Sequence, residues 1–127
     1  MKLDPDCIRD VLIATESLEF GGGLTVDKIH DQFPQYSEED IEYTCLKLGE
    51  GGYIAITTVS TMRCNLDRVR LVTDLTFQGH EYLNNIRDNN VWKQTKSIAK
   101  KVGSFSLSIL GKVASEVIIR SLQGQSL

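Results

Sequence analysis

The chain has 127 residues, of which 41 % are hydrophobic and 24 % charged, with a formal net charge of −3. This is an ordinary composition for a soluble globular chain, long enough for one domain or one domain plus a helical extension without a disulfide or metal staple. The charge is unevenly distributed: residues 1–50 carry 4 basic and 12 acidic side chains, residues 51–90 carry 4 of each, and residues 91–127 carry 6 basic and 1 acidic. That pattern excludes the uniformly basic surface of a typical nucleic-acid binder and suits a chain with separate acidic and basic partners.

Three cysteines, Cys7, Cys45 and Cys64, form an odd set without C-x-x-C spacing. They are expected to be free thiols, with no disulfide framework and no metal site, in a reducing, cytoplasmic setting. The N-terminus lacks the basic-then-apolar order of a signal peptide. No run of about 18 uncharged apolar residues predicts an integral membrane span.

In chain order, Asp4-Pro5-Asp6 is a strong helix start, and Ile8, Val11, Leu12, Thr15 and Leu18 recur at helical spacing, predicting a helix from Pro5 to Ser17. Phe20 and Gly21-Gly22-Gly23 end it, and no G-K-[ST] follows the glycines, so they are not read as a phosphate loop. Thr25 caps a short second helix with Leu24, Ile29 and Phe33 inward. Pro34-Gln35-Tyr36 turns the chain. Ser37 caps a third helix, from Glu38 to Gly49, that carries Ile41, Cys45 and Leu48 inward and closes at Gly51-Gly52. The β-branched run Tyr53–Val59 predicts a strand and Val69–Thr73 its partner, with Ser60–Arg68 between them as the wing and Arg63 near its tip. A further helix is expected from the cap Asp74-Leu75-Thr76 to Asp88, with Phe77, Tyr82, Leu83 and Ile86 as its apolar contacts, and Asp88-Asn89-Asn90 as a break.

From Val91 to Leu122 the pattern is helical, with Gly103 as the point of interruption. Ile98, Val102, Phe105, Ile109, Val113 and Val117 form one stripe, and Ser104, Ser108, Gly111 and Ser115 a second line of small residues. So apolar a segment needs a cover, and a second subunit is the simplest one. The expected oligomer interface is Phe105, Ile109, Val113 and Val117. Packing within the chain is the alternative, as is lying on a membrane surface with Lys96, Lys100, Lys101 and Lys112 on the cationic side.

Two short helices, a tight turn and a strand pair make the fold class α+β, mainly α: a winged helix-turn-helix with a two-stranded wing over residues 1–90 and a long apolar helical extension over 91–127. Catalytic and metal-binding constellations are lacking: His30 and His80 stand in no ligand spacing, and no nucleophile elbow occurs. An enzyme and a cofactor are therefore not expected. The architecture predicts a DNA-associated regulator contacting duplex DNA through Tyr43, Lys47, Arg63, Arg68 and Arg70. The charge predicts a different role, a protein-binding domain whose acidic face of Glu38, Glu39 and Glu42 takes a basic host or phage protein.

Two local patterns carry a family resemblance. Leu24-Thr25, Ile29, Phe33, Tyr36-Ser37-Glu38-Glu39, Leu46, Leu48-Gly49 and Gly52-Tyr53-Ile54 look like a helix-turn-helix leading to a wing. Asp74-Leu75-Thr76-Phe77-Gln78-Gly79-His80-Glu81-Tyr82-Leu83 resembles the "leucine-threonine, two residues, glycine" helix start that follows the wing in several bacterial regulators. With Met1–Asp6, Asn85–Asp88 and Val91-Trp92, residues 1 to 115 or so resemble a family of uncharacterised winged-helix proteins of phages and prophages. The resemblance implies the fold and a phage origin. It implies no activity.

Overall fold

A computed structural model describes residues 1–61 and 64–124, with the backbone alone at 61 and 64–66. Arg63, one of the expected DNA contacts, lies outside the described residues. Among the described residues the architecture is mainly helical α+β, with six helices and one antiparallel pair of strands: α1 (Pro5–Glu16), α2 (Val26–Gln32), α3 (Glu38–Glu50), β1 (Ile54–Thr61), β2 (Cys64–Leu75), α4 (Phe77–Ile86), α5 (Asn89–Val102) and α6 (Leu107–Leu122). No helix among them is long and apolar enough to cross a membrane.

Side-chain oxygens set where the helices begin. Asp4 accepts from the Asp6 N–H, Thr25 from Lys28, Ser37 from Asp40, Thr76 from Gly79, Asp88 from Val91 and Ser106 from Ile109, at 2.9–3.2 Å. Each satisfies one of the amides that a helix leaves without an internal partner.

The chain divides into two compact units, 1–80 and 81–127. In the first, α1, α2, α3 and the hairpin bury Ile8, Val11 and Leu12 of α1, Ile29 of α2, Ile41, Cys45 and Leu48 of α3, and Ile54, Val72 and Leu75 of the strands. Leu24, between α1 and α2, adds a one-residue bridge to the sheet: its N–H donates to the Val72 carbonyl at 2.9 Å and its carbonyl accepts from the Val72 N–H at 2.8 Å. The turn between α2 and α3 is tied to α1, because the Tyr36 hydroxyl donates to Asp10 Oδ2 at 2.6 Å. In the segment expected as the wing, Ser60–Arg68, the described residues continue the two strands. β1 and β2 stay paired from Ile54↔Leu75 out to Thr61↔Cys64, with register shifts at Ala55/Ile56, Thr57/Thr58 and Ser60/Thr61. Bulges of this kind absorb unequal arm lengths without ending the pairing.

The junction between the hairpin and α4 explains the glycine of the leucine-threonine-glycine pattern. The Thr76 N–H donates to the Tyr53 carbonyl at 3.1 Å, and the Thr76 hydroxyl donates to the Gly52 carbonyl at 2.6 Å while accepting from the Gly79 N–H. The first two bonds draw the start of α4 onto the start of β1, and the third caps the helix. A Cβ at Gly79 would run into the Tyr53 carbonyl oxygen and come within 2.8 Å of Leu75 Cδ1. Only glycine permits that approach. Phe77, by contrast, was expected among the apolar contacts of this helix and is 78 % exposed.

The second unit holds α4 from Glu81 onward together with α5 and α6, and the interruption expected at Gly103 is present. Gly103, in the left-handed region at φ 82°, ends α5, and Ser106 starts α6 three residues later. The two helices pack on one another. Their buried residues are Trp92, Thr95 and Ala99 on α5 and Leu110, Ala114 and Val117 on α6.

Candidate interaction surface

The third helix is placed by its buried face, and its outer face is where the expected site residues gather. Glu38 and Glu39 are exposed at its N-terminal end, Tyr43 and Lys47 are half-exposed along it, and Glu50 is exposed at its C-terminal end. The one lysine here is already engaged. Lys47 Nζ lies 3.0 Å from Glu50 Oε2 and 5.6 Å from the centroid of the Tyr43 ring. The Glu50 carboxylate raises the pKa of the ammonium, so Lys47 stays charged, but its charge is offset at the same spot.

Glu42 and Arg68 were assigned to opposite readings, one to an acidic face and one to DNA. The structure joins them. Arg68 Nε and Nη2 donate to the two oxygens of Glu42 at 2.7 Å each, and the Val69 N–H donates to Glu42 Oε2 at 2.9 Å. A planar guanidinium meeting both oxygens of a carboxylate is the strongest geometry available to this pair. The Glu42 side chain is only 12 % exposed, against 59 % for Arg68. The Arg68 hydrogen bonds, helped by the Val69 amide, hold the Glu42 carboxyl below its usual range and outweigh the effect of partial burial. The clasp fixes the hairpin arm against α3 and removes one charge of each sign from the free surface. Arg70, by contrast, is exposed on the same strand.

The clasp partners lie 26 residues apart, a separation at which charge patterning gives no signal. The Val69 amide was not foreseen at all, because a backbone donor is invisible in side-chain chemistry. The hairpin carries a further acid, Asp67, whose carboxylate accepts from the Ser60 hydroxyl.

The two described thiols of this unit, Cys7 and Cys45, do not offer a nucleophile. Burial pushes Cys7 up to about 11, against a hydrogen bond from the Thr44 hydroxyl that works the other way, and burial pushes Cys45 up to about 12. Both stay protonated at neutral pH.

The four residues expected to form an oligomer interface do not share one environment. Phe105 is exposed in the segment between α5 and α6, Ile109 and Val113 are half-buried, and Val117 is fully buried. Val117 is therefore unavailable to a second chain. Apolar side chains that are exposed in this unit include Val102, Ile119 and Leu122.

Comparison with known proteins adds the family. A family described as "Hypothetical protein (DUF2513)" matches residues 2–106. The chain belongs to the DUF2513 family. A relative from Haemophilus influenzae, described as an uncharacterized protein, is 32 % identical over 124 residues, covering 96 % of this chain and 99 % of its own length. In a DUF2513 chain of this kind the matched span takes in α1 through α5 and stops just before α6. No solved structure matches.

Proposed function

We propose that this chain is a winged-helix protein-interaction module, without enzymatic activity, whose α3 receives a basic segment of another protein. The order helix, one-residue strand, helix, turn, helix and hairpin supports the winged helix-turn-helix part of this reading. In a DNA reader of that type, α3 would enter the major groove and the hairpin arm would meet phosphates. The observation that carries the present reading is the Glu42–Arg68 clasp. It occupies Arg68, an arginine lying against α3, while Lys47 is offset by Glu50 and the acids Glu38 and Glu39 stay exposed. Phosphate contacts supply most sequence-independent DNA affinity, so such a face disfavours a duplex and favours a cationic peptide.

The test measures two ligands in parallel by fluorescence anisotropy at about 50 mM salt, where surface electrostatics are little screened. An arginine- and lysine-rich peptide should bind the wild type, and roughly tenfold more weakly after Glu38→Gln with Glu39→Gln. A labelled duplex should not bind. Duplex binding by the wild type that disappears when Arg63, Arg68 and Arg70 become alanine would decide for the DNA-associated reading instead.

A further inference from the structure

We infer that the outer face of α6 is the interface of an antiparallel, two-fold dimer of this chain, in which Lys112 of each copy meets Glu116 of the other. The face is the side opposite Leu110, Ala114 and Val117. A shallow groove runs along it, lined by Leu107, Ser108, Gly111 and Ser115 with Asn85 of α4, and by Lys112 and Glu116, both exposed. Ile119 and Leu122 continue the face, 42 % and 82 % exposed.

Gly111 is the first reason to expect a close neighbour from outside. A glycine inside a helix is less favourable than alanine by about 1 kcal/mol and needs a compensating role. Elsewhere that role lies within the chain: a Cβ at Gly49 would come within 2.8 Å of Ile56 Cδ1, and one at Gly79 would strike the Tyr53 carbonyl. At Gly111 a Cβ would meet only the Tyr82 ring, at an ordinary 3.5 Å. The fold of one chain therefore has room for alanine at 111, so close packing within the chain does not account for the glycine.

Charge identifies the occupant and its direction. Lys112 and Glu116 are four residues apart, so they lie on one edge of the helix. In an antiparallel two-fold pair, like edges of the two helices face one another, and residue i opposite j implies j opposite i. A two-fold axis level with Ala114 then sets Lys112 against Glu116 twice. A parallel pair would bring the edge of one helix to the other edge of its mate, where this match is lost. The patch is complementary to its own copy in one orientation.

Sedimentation velocity on the full chain tests this, at about 50 mM salt. The wild type should be a dimer at tens of micromolar. Lys112→Glu alone and Glu116→Lys alone should each weaken it by roughly tenfold or more, because two attractions become two repulsions. The double swap, Lys112→Glu with Glu116→Lys, should restore the dimer. An equimolar mixture of the two single variants should also dimerise. Both positions are exposed, and an unchanged melting temperature of the diluted variants shows that the fold is intact. A monomeric wild type, single variants that associate like the wild type, or a mixture that stays monomeric would each overturn the proposal. None of these outcomes bears on what α3 binds.

Discussion

Replacing Glu42 by glutamine keeps the length of the side chain and removes its charge, which isolates what the clasp contributes. The variant loses a charge-assisted bidentate pair to Arg68 and weakens the bond from the Val69 amide. With Arg68 more than half exposed and screened by water, a loss of about 1–2 kcal/mol is expected. The pH dependence gives the signature. The carboxyl is lowered from an ordinary value of 4.5, so its stabilisation is fully present above that value and disappears as pH falls through the folded-state pKa. Melting temperatures of wild type and Glu42→Gln should differ by a constant amount near neutral pH and converge at acid pH. A difference that persists unchanged to the lowest pH at which the chain folds would mean the effect is one of shape and not of charge.

At the scale of the element, local chemistry was readable and phase was not. Asp4, Thr25, Ser37 and Thr76 announce their helices because a short polar side chain before an apolar period has few other uses. The stripe from Ile98 to Val117 failed for a definite reason. It carries a single helical phase across the interruption at Gly103, whereas the chain leaves α-helical geometry there and resumes it after Ser106, which resets the rotation. On α6 the buried period is Leu110, Ala114 and Val117, so Ile109 and Val113 fall on its flanks. The Leu24–Val72 bridge was equally hidden, since one residue of strand has no periodicity to detect. Gly103 itself makes the break testable. Its φ of 82° is unfavourable to any residue with a Cβ, yet a Cβ there would touch nothing within 4 Å. Gly103→Ala should therefore destabilise through the backbone alone, by about 1 kcal/mol, read as a fall of a few degrees in melting temperature. An unchanged or raised melting temperature would show that α5 and α6 can join into one helix.

For the whole molecule, the question is whether the winged-helix shape proposed for it or its charge decides what it meets. The two can be separated by changing charge on an unchanged fold. Glu38 and Glu39 are exposed, and replacing both by lysine shifts the local charge by four while leaving the Ser37 cap and the buried Ile41, Cys45 and Leu48 in place. The cost to α3 is limited to its dipole, about 0.3–1 kcal/mol for each charge moved at the N-terminal turn. If α3 is presented as a winged helix presents it, Glu38→Lys with Glu39→Lys should bind duplex DNA where the wild type does not. The affinity should fall with salt at a slope in the log–log plot of roughly 2, one for each new phosphate contact. The same variant should lose the cationic peptide. Loss of the peptide without any gain of DNA would show that charge sets the peptide preference while the end of α3 does not reach a groove. Retention of the peptide would mean that the acidic end of α3 is not where it binds.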